Sequence, residues 1–201
     1  VLPCAYVYAV STDPACQGNG YASALMRRFA ADADASGCVL YTLPAEASLY
    51  GWYQTVMGTT QTARGERLRI VRQQTAAAFP DVARISAPEY AALRAQLLQG
   101  QTYAQPCAAL LDFQADLCAM SGGALVRTGG GCAVVERDGD TLIIKELLGA
   151  DAEPAVQALL AAFDAQQAQL SLRNPNGTQR LAAYRPFSRD PADAYWGLYL
   201  D

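Results

Sequence analysis

Residues 5–11 (AYVYAVS) are apolar and aromatic, Thr12, Asp13 and Pro14 make a turn, and Gln17-Gly18-Asn19-Gly20 stands directly ahead of a helical pattern. This order of strand, glycine-rich turn and helix restricts the chain more than any other feature, because it sets the free N–H groups of a helix start at the end of a strand. Those amides and the helix dipole together form an anion site. Glycine allows an anion to approach the backbone without a Cβ in the way, and it takes positive φ at little cost. No Asp or Glu falls within residues 15–24, so the local field favours negative charge. The plainer reading is a turn that joins two elements and holds nothing.

In the helix that follows, Ala22, Leu25, Met26, Phe29 and Ala30 recur at helical spacing and predict one buried stripe, ended by Gly37. Residues 38–43 predict a second buried strand, closed by Pro44. A short helix over 47–57 carries Tyr50, Trp52 and Tyr53, and residues 67–72 alternate as a half-exposed strand does. This first part is an α/β unit. Residues 73–87 read as a connector. Helices over 89–98 and 107–120 come next, then a hairpin over 132–136 and 141–145 turned at Asp138-Gly139. Pro154 begins a helix with Val156, Leu159, Leu160 and Phe163 on one face, and residues 195–200 form a final strand. The run Gly129-Gly130-Gly131 precedes a strand instead of opening a helix, and reads as a loop.

Composition removes several classes of function. The net charge is −4 and the arginines are scattered, whereas nucleic-acid binding requires clustered Lys and Arg, so no nucleic-acid partner is expected. There is no histidine, and the six cysteines include no C-x-x-C pair, so no metal site is expected. The same absence rules out Ser-His and Cys-His nucleophilic pairs. Charges, prolines or glycines interrupt every apolar run short of bilayer length, and no basic-then-apolar leader opens the sequence. The expectation is a cytoplasmic protein without a membrane partner.

Two familiar phosphate loops do not fit. A dinucleotide loop wants a third glycine where Ser23 stands and an acid where Leu40 and Tyr41 stand; a P-loop wants Gly-Lys-Ser/Thr. The segment Gln17-Gly18-Asn19-Gly20-Tyr21-Ala22 instead resembles the Gln/Arg-x-x-Gly-x-Gly/Ala signature of GNAT-type N-acetyltransferases, preceded here by Val10-Ser11-Thr12-Asp13-Pro14. The likeness continues at Leu43-Pro44-Ala45 and at Trp52-Tyr53-Gln54-Thr55-Val56-Met57-Gly58, over roughly the first seventy residues. Two departures accompany it: Met57-Gly58 replaces the family's Gly-Phe, and Glu46 stands where an asparagine is frequent.

The resemblance implies a GNAT-like acyl-CoA N-acyltransferase fold, α/β with a mixed sheet. It implies acetyl-coenzyme A as co-substrate and direct attack on its thioester by a primary amine carried by a small molecule or a peptide. Val10 and Thr12 at the strand end, with Gln17, Gly18, Asn19, Gly20, Tyr21 and Ala22, would bind the cofactor. Tyr53 would protonate the departing thiolate, although beside Trp52 and Tyr50 it also fits a packing aromatic. The strands that precede this part in the family are expected to have no counterpart before Val1. A further segment, a second copy in a homo-oligomer, or the second half would have to supply them. The alternative to an enzyme is a non-catalytic CoA-binding or scaffold protein with an incomplete acceptor site.

The expected division is residues 1–78, the C-terminal half of a GNAT lobe, and 79–201, a degenerate GNAT-like lobe of a tandem protein. At the second strand-to-helix junction, residues 146–154, Asp151 and Glu153 set negative charge at the helix start and would repel a diphosphate.

Overall fold

The computed structural model describes residues 3–74, 80–173, 176–185, 195 and 197. The chain forms two compact units. One comprises the described residues up to Gly65 together with Arg173 and 176–185; the other comprises Glu66–Leu172 with Tyr195 and Gly197. The units therefore do not follow the expected break at residue 78. The chain passes between them along a single strand, and a late segment returns to complete the first unit.

In the first unit, β1 (Cys4–Val7) pairs in parallel with β2 (Val39–Thr42), Cys4 opposite Val39 and Val7 opposite Thr42. A parallel pair requires a crossover, which α1 (Tyr21–Ala35) provides. After β2 come α2 (Leu49–Met57) and β3 (Gln61–Val71), whose residues up to Gly65 belong here. The strand from Gln179 to Tyr184, numbered β9 in chain order, lies antiparallel between β2 and β3: Tyr184 faces both Tyr41 and Gln61. Alternation sends Ala5, Val7 and Leu40 to one face, where they pack on Met26, Ala30 and Ala33 of α1 and on Tyr53, Val56 and Met57 of α2. The buried stripe of α1 is thus Met26, Ala30 and Ala33, whereas Leu25 of the expected stripe is 61% exposed. One residue of shift is a rotation of about 100°, enough to carry a side chain from core to solvent.

Gly58 ends α2 at φ 70°, and Met57 O accepts from Arg185 Nε at 2.9 Å and from Nη2 at 2.6 Å. Arg185 also pairs with Asp34 on α1. The Met57-Gly58 departure is therefore a left-handed helix end closed by a guanidinium from the returning segment.

The second unit contains the rest of β3, then β4 (Val82–Arg84), α3 (Ala87–Leu97), α4 (Ala108–Met120), β5 (Ala124–Thr128), β6 (Gly131–Asp138), β7 (Thr141–Leu148), α5 (Ala152–Ala162) and β8 (Gln167–Arg173). Its strand order is β3-β8-β7-β6-β5-β4, with β7 and β8 parallel and β4 to β7 antiparallel. Val135, Leu142 and Ile144 pack with Val156, Leu159 and Leu160 of α5; Leu125, Cys132 and Val134 pack with Tyr90 of α3 and with Leu111 and Cys118 of α4. The expected hairpin, with Gly139 at φ 57°, and the helices of this half are present.

Four strand expectations change. β1 stops at Val7 because Ala9 takes φ 55°, a left-handed conformation that breaks the ladder. β3 begins six residues earlier than 67 because Gln61–Gly65 pair with β9. The presumed connector holds β4, which pairs with β5. β5, β8 and β9 give no sequence signal strong enough to stand alone. Of the expected strand 195–200, only Tyr195 and Gly197 lie among the described residues, and Tyr195 forms a single bridge to Tyr103. The Gly129-Gly130-Gly131 run is the β5–β6 turn. A Cβ at Gly131 would lie 1.9 Å from Leu148 O, so glycine there serves strand approach.

Candidate functional site

The turn ahead of α1 is built by its own side chains. Asp13 accepts from Ala15 N at 2.8 Å and starts a short 3-10 turn, Pro14–Cys16. Gln17 Nε2 donates to Thr12 O at 3.3 Å, and Asn19 Nδ2 donates to Cys16 O at 3.1 Å and Gln17 O at 3.3 Å. These side-chain amides satisfy carbonyls and leave no side chain on the helix start: Gly20, the N-cap, sits at φ 78° with no side-chain capping bond, and no acid lies in the first turn. Gly18 is also at φ 78°, and a Cβ built on either glycine would meet no atom within 4 Å. Two left-handed glycines with open space around them thus stand at an N-terminus that no side chain caps, the local geometry that an anion requires.

The expected site residues fall as follows. Gln17, Gly18, Asn19, Gly20 and Tyr21 are exposed, and Thr12 and Ala22 are half-buried. Val10 is half-buried and packs against the core cluster that contains Tyr53, three residues beyond the last β1–β2 pair, Val7 with Thr42. Tyr53 is buried on α2, its ring 4.7 Å from that of Trp52 at an interplanar angle of 67°. Glu46, considered as a base, is exposed and accepts from Ser48 Oγ at 3.2 Å. One contact was not anticipated: Trp52 Nε1 donates to Ser23 Oγ at 3.1 Å and joins α2 to the first turn of α1. The readable signal was Trp52 itself, since an indole N–H that packs into a core needs an acceptor.

At the matching junction of the second unit, α5 opens after Asp151, which makes no side-chain capping bond, with Glu153 in its first turn. The Glu153 carboxylate accepts from Gln73 Nε2 at 3.0 Å and from Gln157 Nε2 at 3.1 Å. Nearby, the parallel pairing of β7 and β8 ends at Ile144 with Leu170, and Glu146 lies beyond it. Glu146 is 1% exposed and holds Arg94 through Nε at 3.0 Å and Nη2 at 3.2 Å; it also accepts from the Tyr90 hydroxyl. Burial, and then the Glu146 charge, push the Tyr90 phenol well above its ordinary range. The same two causes raise the Cys132 thiol to about 12.

A mixed sheet with a parallel pair, a crossover helix opened by glycines, and a late strand inserted beside the pair define an α/β fold of the acyl-CoA N-acyltransferase type. The sequence model described as "Acetyltransferase (GNAT) domain" matches residues 1–55. A GCN5-related N-acetyltransferase from Kribbella flavida is 17% identical, covering 91% of this chain and 51% of its own, at TM-score 0.55. A GCN5-related N-acetyltransferase from Anabaena variabilis is 17% identical, over 92% of this chain and 53% of its own, at 0.57. Eis1 from Mycobacterium abscessus is 17% identical over 92% and 56%, at 0.53. The chain spans about half the length of these solved structures. A comparison with curated proteins found no match. The match over residues 1–55 and the shared fold make the chain similar to GNAT acetyltransferases. Among the described residues no helix is long and apolar enough to cross a membrane, and no three His, Cys, Asp or Glu side chains gather as metal ligands.

Proposed function

We propose that the chain binds acetyl-coenzyme A at residues 17–22 and transfers the acetyl group to a primary amine. The observation that carries this reading is the uncapped, acid-free start of α1, opened by Gly18 and Gly20 at φ 78°. The residues fit the group: amides from Gly18 to Ala22 would take the diphosphate oxygens, and the open space over both glycines leaves room for them. When bound, the co-substrate supplies a thioester whose carbonyl carbon accepts the amine nitrogen as the C–S bond breaks.

The chain's part is to position and to move protons. The backbone N–H near Val10, past the point where β1 leaves β2, would face the oxyanion that develops on the carbonyl. Tyr53 would give its phenolic proton to the departing sulfur. The amine loses one proton to water, because Glu46 is engaged with Ser48 at the surface. No cysteine nucleophile is required, which agrees with the absence of any histidine to activate one. The acids at the start of α5 and the Arg94–Glu146 pair favour a second unit that holds no coenzyme A.

The deciding experiment is acetyl transfer from acetyl-coenzyme A across a panel of small-molecule and peptide amines, with calorimetric binding of coenzyme A in parallel. Transfer together with binding upholds the reading. Binding without transfer favours a scaffold, and no binding removes both.

A further inference from the structure

The chain has three asparagines, and two of them precede a glycine: Asn19-Gly20 and Asn176-Gly177. That dipeptide is chemically labile, because glycine has no side chain to shield its amide nitrogen from the neighbouring carboxamide carbon. The structure treats the two pairs in opposite ways. Asn19 and Gly20 are both exposed, and a Cβ built on Gly18 or Gly20 would meet no atom within 4 Å, so the backbone beside Asn19 has room to turn. Among the described residues the Gly20 N–H meets no acceptor. It stands at the positive end of α1, where the helix field favours the negative nitrogen that attack requires. The Asn19 carboxamide is held only by two exposed hydrogen bonds, from Nδ2 to Cys16 O at 3.1 Å and to Gln17 O at 3.3 Å. Gly177, by contrast, is buried, and a Cβ there would lie 2.2 Å from Gly65 O. Its backbone is wedged against β3 and has no room to swing.

We propose that Asn19 is a site of spontaneous modification, converted in the folded protein to aspartate and isoaspartate while Asn176 is preserved. The Gly20 nitrogen gives its proton to water or hydroxide and attacks Asn19 Cγ. The N–Cγ bond forms, the Cγ–Nδ2 bond breaks, and ammonia leaves behind a five-membered succinimide. Water then opens the ring at either carbonyl. Cleavage at Cγ gives aspartate, and cleavage at the backbone carbonyl gives isoaspartate, so the net change is one water taken up and one ammonia released. Either product sets a negative charge within residues 15–24, which hold no acid otherwise. Isoaspartate also lengthens the backbone between Gly18 and Gly20 by one methylene. On the coenzyme A reading above, that charge repels the diphosphate, and aged protein loses its co-substrate. The modification itself does not depend on that reading.

The test incubates the full chain at neutral and mildly alkaline pH, folded and in denaturant, and follows both sites by mass spectrometry of digests made at acidic pH. In the folded protein the Asn19 peptide gains one mass unit and splits into two products, about tenfold or more faster than the Asn176 peptide, because Gly177 must first open locally. In denaturant the two sites convert at similar rates. Conversion of Asn19 speeds up with pH, and Asn19→Gln, whose ring would need a sixth atom, removes it. Equal rates at the two sites in the folded chain overturn the proposal, and so does an Asn19 that converts only in denaturant. Fresh and aged samples are then titrated calorimetrically with coenzyme A, and the aged sample loses binding in proportion to the converted fraction. Equal binding by both overturns the consequence drawn for the co-substrate. A fresh chain that binds no coenzyme A removes the coenzyme reading, while the mass result still decides the modification.

Discussion

Replacing Gly20 by glutamate separates the anion site from the fold that presents it. Gly20 lies at φ 78°, and a Cβ there would meet no atom within 4 Å, so the folded chain has space for the side chain. Its folding penalty is the left-handed backbone alone, about 1–2 kcal/mol for a residue with a Cβ. Gly20→Ala carries that same penalty without charge and serves as the control. A glutamate carboxylate about 4 Å from one diphosphate charge would add roughly 1 kcal/mol in bulk water and about 4 kcal/mol at a surface dielectric near 20. Because the turn is exposed, the true figure falls inside that interval, and affinity drops by about 5-fold to 1,000-fold at 1.4 kcal/mol per decade. Calorimetry of coenzyme A at low and high salt reads the loss, and its partial recovery at high salt identifies it as electrostatic. Thermal melts should place Gly20→Ala and Gly20→Glu together. Equal affinity in Gly20→Glu and Gly20→Ala would refute the argument, because the turn would then hold no anion.

Tyr53→Phe should lower turnover about 100-fold or more while coenzyme A affinity holds, and equal turnover would leave Tyr53 as packing only. Glu146→Ala strands the Arg94 guanidinium, which is buried with it, and should cost about 3–5 kcal/mol by denaturant titration. A loss below about 1 kcal/mol would mean water reaches the cluster. The Cys132 thiol is raised from 9.0 to about 12, so the folded chain keeps a proton that the unfolded chain releases. Stability from this source is complete below about pH 9 and falls as pH rises toward 12. Cys132→Ala should flatten that alkaline decline in melts across pH, and a decline unchanged by the substitution would place its cause elsewhere.

The glycine turn, α1, β2, α2 and the β6–β7 hairpin were readable because each is specified locally, by turn chemistry, periodicity or a glycine at positive φ. The residues that miss are those set by distant partners. β9 is a strand because β2 and β3 leave a gap that it fills, and nothing within Gln179–Tyr184 announces those neighbours. Leu25 fits the apolar pattern of α1 and yet faces solvent, since periodicity fixes a stripe only to within one position and the surface it meets decides the rest. At the candidate site, the loop residues were singled out by their spacing, whereas Ser23, which accepts from Trp52, was passed over as the place where a dinucleotide loop keeps a glycine. Its partner lies on another helix, and pairings of that kind are invisible to a local pattern.

The insertion of β9 has a consequence for synthesis. The first unit cannot close its sheet when its first sixty-five residues leave the ribosome, because the strand between β2 and β3 is translated more than a hundred residues later. Until then β2 and β3 present bare edges that can recruit another nascent chain. Loop closure over that span makes the last pairing slow, so the unit that carries the glycine turn completes its sheet near the end of folding.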